Sequence, residues 1–125
     1  MLSFVNDYSE GAHEKILQKL LEINKTPMPG YGVDSYSSSA KQKIRDACNC
    51  PEAEVFFLIG GTQTNQIVIN ALTAQYQGVV AVDTGHIAVH EAGAIEFTGH
   101  KVLTVPSHEG KMAPEDLSKL LTTFY

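Results

Sequence analysis

The chain contains little positive charge and no basic block. Nine lysine and arginine residues stand against 14 aspartate and glutamate residues, which gives a formal net charge of -5 and an isoelectric point near 5.4. Such a sequence has no cluster that neutralises a run of phosphates, so nucleic-acid binding is not expected. Long apolar runs are also missing, and the longest stretches present are far too short to cross a bilayer.

A secretory leader and a disulfide framework are missing as well. The N-terminus has neither a basic leader nor an apolar core of signal-peptide length, which predicts a cytoplasmic, reducing location. Cys48 and Cys50 then need no disulfide. Their spacing is not that of a Cys-x-x-Cys redox pair, and two cysteines alone make no zinc cage. We expect Cys48 to lie in the core.

What is present is an ordinary globular composition. The 125 residues are 43% hydrophobic and 18% charged, which is sufficient for one compact domain with a buried core. The sequence shows no internal repeat and no low-complexity tract beyond the serines at 37–39. The chain is therefore expected to fold as a single unit.

Helical spacing is evident in the first half. Apolar residues at positions 16, 17, 20 and 21 lie on one face of a predicted helix, which Ser9 or Asp7 is expected to cap and Asn24 and Pro27 to end. The turn-rich residues 26–39 are expected to form an ordered loop. A second helix is expected to begin near the serines and to end around residues 49–51.

Three strand patterns follow in the second half. The continuous apolar run at residues 55–59 is typical of a strand covered on both faces, and similar strands are predicted at 79–82 and 101–105. Because parallel strands are joined by right-handed crossovers, this alternation of strand and helix predicts an α/β fold with one mainly parallel sheet.

Helices are predicted after each of these strands. The first spans about 63–74, with Ile67, Val68 and Leu72 facing inward, and the second spans 87–97. The last begins near Pro114, whose fixed φ suits a first helical turn. It ends in an apolar group that needs something to pack against, made up of Leu120, Leu121, Phe124 and Tyr125.

The polar residues 60–65 lie at a strand end, where open parallel sheets bind their ligands. Gly60 and Gly61 let the backbone approach an anion, the free N–H groups of the helix start favour negative charge, and Thr62 adds a hydroxyl donor. The alternative is a tight turn in which Thr62 caps the helix, and spacing alone favours neither. The pattern is neither a P-loop nor a dinucleotide fingerprint.

A second polar cluster, residues 83–86, ends the next predicted strand, and His90 and Glu91 follow one turn later. His86 and His90 share a helix face, so a metal site must be considered, but the order lacks the internal glutamate of H-E-x-x-H. Packing or capping is a simpler use of these histidines. A third use is an imidazole that lies flat over an aromatic ligand ring.

The remaining polar candidates are weaker. His100 and His108 are expected to be surface histidines. Glu115 and Asp116 fall in the first turn of a predicted helix, where acidic side chains favour the helix dipole, so capping is a simpler role for them than acid–base chemistry.

Four segments together resemble the N-terminal part of the threonine aldolase and β-eliminating lyase family. They are residues 6–11, 30–36, 60–65 and 83–94, in the family's order. The resemblance covers essentially the whole chain. It implies an enzyme that uses pyridoxal 5'-phosphate (PLP) and has the aspartate-aminotransferase-like fold, called fold type I, of whose large domain this chain would form the N-terminal portion.

The resemblance implies a cofactor site. The turn of Gly60, Gly61, Thr62 and Gln63 is similar to the one that holds the cofactor phosphate. His86 matches the histidine that stacks on the pyridine ring, which makes it the catalytic candidate and favours stacking over a metal. No metal is therefore expected. Glu91 matches an acidic residue of the same motif, to which spacing assigns no role.

The resemblance also implies substrate-side residues. Asn6 and Asp7 match a Ser–Asp pair near the substrate, although Asn6 departs from the serine. Tyr31 or Tyr36 corresponds to a tyrosine that reaches the active site. The substrate is accordingly expected to be a small amino acid, within a homo-oligomer, either a dimer or a tetramer.

The family's Schiff-base lysine and the carboxylate that faces the pyridine nitrogen lie downstream of the matched segments. No lysine of this sequence has the family's context, so we expect this chain not to catalyse the reaction alone. The resemblance divides it into residues 1–50, a helical arm and active-site loop, and residues 51–125, the first βα units of an incomplete PLP-binding large domain.

The function implied is that of the N-terminal part of a PLP-dependent lyase of amino-acid metabolism, which performs either aldol cleavage or β-elimination. The alternative is a self-contained α/β module that binds a small phosphorylated ligand without catalysis. Both readings use the turn at residues 60–65.

Overall fold

The computed structural model describes residues 5, 6 and 8–124, which form two compact units that divide between Phe56 and Phe57. The first unit contains two helices, α1 (Glu14–Ile23) and α2 (Ser35–Ala47). The second contains α3 (Gly61–Leu72), β1 (Val79–Val82), α4 (His86–Val89), α5 (Ala94–Phe97), β2 (Val102–Val105) and α6 (Pro114–Leu121), followed by a 3-10 turn at Thr122–Phe124. No helix of the described residues is long and apolar enough to cross a membrane.

Helix α1 forms where the apolar spacing predicts it, but its cap differs. The ring nitrogen Nδ1 of His13 accepts from the N–H of Lys15 at 3.2 Å, so His13 and not Ser9 caps the helix. Asp7, the other expected cap, lies outside the described residues. A histidine that presents an acceptor nitrogen satisfies one of the free N–H groups of the first turn, as a Ser or Asp side chain does.

Helix α2 begins earlier than the serines at 37–39. Oδ1 of Asp34 accepts from the N–H of Ser37 at 2.8 Å, and Oδ2 accepts from the Ser37 hydroxyl at 2.6 Å. These hydrogen bonds hold the pKa of Asp34 below its ordinary value. Cys48, expected in the core, is instead exposed, because it is the C-terminal cap of the helix and not part of its apolar face.

The sheet of the second unit has two strands. β1 and β2 are parallel, with Val79 opposite Val102 and Val82 opposite Val105. The expected strand at residues 55–59 is wrong: the segment forms no strand, and Ile59 is 95% exposed. An apolar run forms a covered strand only where a neighbouring strand pairs with its backbone and other side chains pack on its faces. The described residues provide neither for this segment.

A small core lies where the strands meet the helices. Ile95 in α5 and Val105 at the end of β2 are buried, and so are the polar residues Glu91 and His100. Helix α3 does not turn its expected face inward, since Ile67, Val68 and Leu72 are exposed. The half-buried side chains include Asn65 of α3 and Thr73, its C-terminal cap, which take part in the buried polar contacts described below.

The expected helix at 87–97 is two short helices. Ala92 and Gly93 between them have left-handed φ values of 50° and 77°, a conformation that a continuous right-handed helix cannot contain. Helix α4 therefore ends at Val89, and the chain turns before α5 starts. The break places Glu91 in the connection, where it turns inward and is buried.

Candidate active site

The start of α3 is built without a side-chain cap. Gly60 is the cap residue, in an extended conformation with φ of -169°. Its carbonyl accepts from the N–H of Thr64 at 3.0 Å and from the Thr64 hydroxyl at 2.9 Å. Gln63 turns back along the chain, so that its Oε1 accepts from the N–H of Ile59 at 3.0 Å. The side chains of Gln63 and Thr64, in the first turn of α3, thus form hydrogen bonds with the backbone that precedes the helix.

The backbone donors of this turn stay free. Within the described part of the chain, the N–H groups of Gly61, Thr62 and Gln63 have no acceptor. Apart from the adjacent residues and the backbone of α3 itself, no atom lies within 4 Å of where a Cβ at Gly60 or Gly61 would be. The turn therefore presents three donors and open space, which suits an anion at a helix start. The alternative in which Thr62 caps the helix is wrong, because Thr62 lies inside α3.

His86 opens α4 directly after the turn that follows β1. Gly85 donates its N–H to the carbonyl of Val82 at 2.8 Å, and a Cβ at Gly85 would lie 2.9 Å from that same oxygen. Glycine is needed here because the chain folds back closely onto the strand end. The imidazole of His86 is largely exposed, with 64% of its surface accessible.

One carboxylate oxygen connects His86 to α3. Oε1 of Glu91 lies 2.7 Å from Nδ1 of His86 and accepts from the side-chain amide of Asn65 at 2.6 Å. The Glu91 side chain is completely buried, and its other oxygen, Oε2, has no hydrogen-bond partner among the described residues. The free turn of α3 and the imidazole of His86 are thereby held by the same group.

Glu91 and Asn65 were not predicted as site residues. Both fall within the motif segments at 83–94 and 60–65, so the sequence contained a signal. The contact of Glu91 with Asn65 spans 26 positions. Its contact with His86 spans five positions, which matches no helical pairing. It depends on the break between α4 and α5, where Ala92 and Gly93 adopt left-handed φ values.

His90 does not join a metal cluster with His86. The two ring centroids are 5.4 Å apart with their planes tilted by 54°. The described residues contain no group of three histidine, cysteine or acidic side chains arranged to hold a metal ion. The arrangement around His86 instead resembles an oriented imidazole, with a carboxylate on one nitrogen.

His100 is a buried residue and not the expected surface histidine. Its Nδ1 lies 3.1 Å from the carbonyl oxygen of Gln77, and its Nε2 lies 3.2 Å from both Oδ1 of Asn70 and Oγ1 of Thr73. These partners explain its burial, since a polar ring enters the interior only with hydrogen bonds. They join α3 to the chain that enters β2.

His108 is exposed, as expected. Its Nε2 lies 2.6 Å from Oδ2 of Asp116 in the first turn of α6. Asp116 thus pairs with a histidine, and no side chain caps α6, whose cap residue is Ala113. The capping role expected for Glu115 and Asp116 is therefore wrong, although both occupy the first turn.

The expected substrate residues lie in the first unit. Oδ1 of Asn6 accepts from the N–H of Tyr8 at 3.0 Å and from the hydroxyl of Ser9 at 2.7 Å. Tyr31 is fully exposed with a φ of 63°, and Tyr36 lies in the first turn of α2. Asp7 is outside the described residues.

The chain matches the family model "Beta-eliminating lyase" over residues 14–124. The chain belongs to the beta-eliminating lyase family. Two curated relatives are low specificity L-threonine aldolases, one from Pseudomonas aeruginosa and one from another Pseudomonas strain. Each is 29% identical to this chain, over 116 and 119 residues respectively. The alignments cover 91% and 94% of this chain, but only 33% and 34% of those relatives.

A solved structure gives the same family and defines the fold. The structure of Leishmania major threonine aldolase is 44% identical and superposes with a TM-score of 0.91, covering 96% of this chain and 35% of that one. The chain thus spans about a third of the length of its family relatives. Its fold is that of the N-terminal portion of a fold type I enzyme, as the sequence predicts.

Proposed function

We propose that this chain forms part of the cofactor site of a PLP-dependent lyase that acts on a small amino acid. The reaction class is the cleavage of a β-hydroxy amino acid, as in threonine aldolases, or β-elimination. One observation carries the proposal. Oε1 of Glu91 binds both Asn65 of α3 and the ring of His86, so a phosphate-type turn and an exposed imidazole are held together in one unit.

The residues of the turn fit the phosphate of PLP. Three free N–H groups at the start of α3 offer hydrogen bonds to an anion, and the hydroxyl of Thr62 adds a fourth donor. Open space beside Gly60 and Gly61 leaves room for the phosphate oxygens. Gln63 would support the turn through its hydrogen bond to Ile59. We assign the phosphate to these residues.

His86 fits the ring of the cofactor. Its imidazole is mostly exposed, and the hydrogen bond to Glu91 fixes one edge, so that a flat face remains for a planar heterocycle. When bound, PLP supplies an electron sink that stabilises negative charge at the substrate carbon. The contribution of His86 is to orient the ring by contact with its face and to offer its other nitrogen near the reacting atoms.

The substrate-side residues are proposed on the family resemblance. We assign Asn6, Asp7, and Tyr31 or Tyr36 to the substrate, and we place the arm and active-site loop in residues 1–50 and the start of the cofactor-binding domain in residues 51–125. We further propose a homo-oligomer acting in the cytoplasm. The large exposed apolar side chains of both units support self-association.

Covalent attachment of the cofactor is not assigned to this chain. Five of the eight lysines lie in helices, Lys25 lies in a turn, Lys101 precedes β2, and Lys111 forms an isolated bridge with His108. None of them joins the contacts around His86 and Glu91. We therefore propose that the chain alone binds PLP without cleaving threonine.

A PLP titration followed by absorbance tests this function. Saturable binding that inorganic phosphate displaces, together with borohydride reduction that leaves no PLP attached to a single lysine, is the expected result. Equal stabilisation of the chain by PLP and by inorganic phosphate would favour the phosphorylated-ligand module instead. Specific labelling of one lysine with threonine turnover would contradict the assignment of the covalent step elsewhere.

A further inference from the structure

The burial of Glu91 calls for an explanation that stability does not supply. Its side chain is fully enclosed, yet only Oε1 is hydrogen-bonded and Oε2 has no partner in the described part of the chain. A buried carboxylate with an unsatisfied oxygen is costly, and such groups concentrate where function requires them. One of the two hydrogen-bond partners of Oε1, the imidazole of His86, is exposed to solvent.

The two contacts of Oε1 indicate which group carries the proton between Glu91 and His86. Asn65 can only donate to this oxygen through its NH2 group, because its carbonyl oxygen would face a second acceptor. Nδ1 of His86 approaches the same oxygen at 2.7 Å. A carboxylate is an acceptor only, so the proton in that second contact belongs to the imidazole.

We propose that Glu91 and Asn65 are positioning residues that fix His86 as its Nδ1–H tautomer. Nε2 is then an unprotonated acceptor on the exposed side of the imidazole. Asn65 acts through Glu91, because its amide keeps the carboxylate oxygen in place for the ring. The tautomer is a property of this chain, whereas its use beside PLP rests on the proposed function.

The tautomer determines what His86 does in the site. With Nδ1–H bound to Glu91, Nε2 accepts a hydrogen bond or a proton from the substrate. Once Nε2 is protonated, the imidazolium faces a carboxylate 2.7 Å away that stabilises its charge. An imidazole without Glu91 would be free to rotate and to expose either nitrogen, so a fixed acceptor would be lost.

His108 provides an internal comparison. It contacts the carboxylate of Asp116 through Nε2 and not through Nδ1. The same reasoning therefore assigns His108 the opposite tautomer, with the proton on Nε2. One nitrogen-15 NMR spectrum of the full chain measures the protonation of the ring nitrogens of both histidines. It is recorded at a pH about two units above the ordinary histidine pKa. His86→Asn and His108→Asn variants assign their signals.

The expected wild-type spectrum shows a protonated Nδ1 for His86 and a protonated Nε2 for His108. Glu91→Leu, which fills the buried volume without an acceptor, is expected to remove the tautomer preference of His86 and leave that of His108 unchanged. Glu91→Gln retains an acceptor oxygen and is expected to restore the preference. Asn65→Ala is expected to weaken it.

Two results would overturn the proposal. One is a protonated Nε2 on His86 in the wild-type chain, which needs no variant to fold. The other is an unchanged His86 tautomer in a folded Glu91→Leu chain. A separate PLP titration keeps the two proposals apart: failure to bind PLP would count against the proposed function, whereas the tautomer is read from the chain without cofactor.

Discussion

The side-chain amide of Asn65 donates a hydrogen bond of 2.6 Å to Oε1 of Glu91, across 26 positions of sequence. The same oxygen faces Nδ1 of His86. This contact joins α3 to the connection that follows α4, and it brings two separate motif segments into one polar cluster. The cluster is buried on the Glu91 side and open on the His86 side.

Removal of the Asn65 amide is expected to destabilise the second unit. Asn65→Ala leaves the buried carboxylate of Glu91 with one donor fewer, and an unmet buried hydrogen bond costs about 1–3 kcal/mol. Urea denaturation followed by circular dichroism measures the loss. Gln75→Ala, an exposed carboxamide in the same unit, is the control and is expected to change stability by less than about 0.5 kcal/mol. Equal effects of the two changes would contradict the role of the buried contact.

His100 is expected to be a structural residue. His100→Leu removes the contacts of the ring with the Gln77 carbonyl and the Asn70 amide oxygen. The free energy of unfolding is therefore expected to fall by about 1–3 kcal/mol. His108→Leu removes only an exposed contact with Asp116, for which about 0–1 kcal/mol is expected. Thermal unfolding of both variants compares them. A larger loss at His108 would show that the buried ring is not a stabilising element.

Asp34 is expected to make α2 acid-sensitive. Its folded-state pKa is lowered below the ordinary value of 3.8 by the hydrogen bonds from Ser37, so its contribution to stability is complete above pH 3.8. That contribution is lost as the pH falls through the lowered pKa. The stability difference between wild type and Asp34→Ala should therefore shrink in acid.

Asp34→Asn serves as the control for this effect. Asparagine caps a helix but does not titrate in this range, so its advantage over Asp34→Ala should stay constant with pH. Helicity measured by circular dichroism from neutral pH to below pH 3 follows both differences. A wild-type difference that grows as the pH falls would have the wrong sign.

The exposed apolar surface predicts self-association. Ile59 and Leu72 are largely exposed. An open cavity of about 650 Å³ is lined by the end of α3, the segment between α3 and β1, one side chain each of β1 and β2, and the C-terminal residues 120, 121 and 124. Ile59→Lys with Leu72→Lys is expected to lower the association constant, because charge replaces apolar area. Gln75→Lys adds charge without removing such area. Sedimentation velocity over a concentration series compares them, and a wild-type chain that stays monomeric throughout would disprove the expectation.

Local pattern predicted α1, α2, α3, α6 and both strands, but it did not predict the break between α4 and α5 or the exposure of residues 55–59. Apolar spacing located α1, α2 and α6, because an amphipathic face depends only on residues close together in the sequence. Residues 55–59 have the composition of a buried strand but are exposed here. Whether such a run pairs as a strand depends on residues distant in the sequence, so its own composition does not determine it.

The site shows the same division between local and long-range information. The free turn at Gly60 and Gly61 and the position of His86 after a strand were predicted from local order and family resemblance. The Glu91 contact was not, because it requires left-handed φ values at Ala92 and Gly93. The burial of His100 was also missed, since its partners come from Asn70, Thr73 and Gln77, each more than 20 positions away.

Gly60 gives the sharpest test of the cofactor site. Gly60 has an extended φ that any residue adopts, and the space beside it is open. A valine there should fold while its side chain fills the space in front of the free N–H groups. Gly30→Val is the matched control, since no atom lies near its Cβ position either.

The dissociation constant of PLP, measured by absorbance titration of wild type, Gly60→Val and Gly30→Val, decides the matter. We predict saturable binding by wild type and Gly30→Val, and at least about tenfold weaker binding by a folded Gly60→Val, which corresponds to about 1.4 kcal/mol. Equal affinity of all three chains, or no binding by the wild type, would contradict a phosphate site at the start of α3.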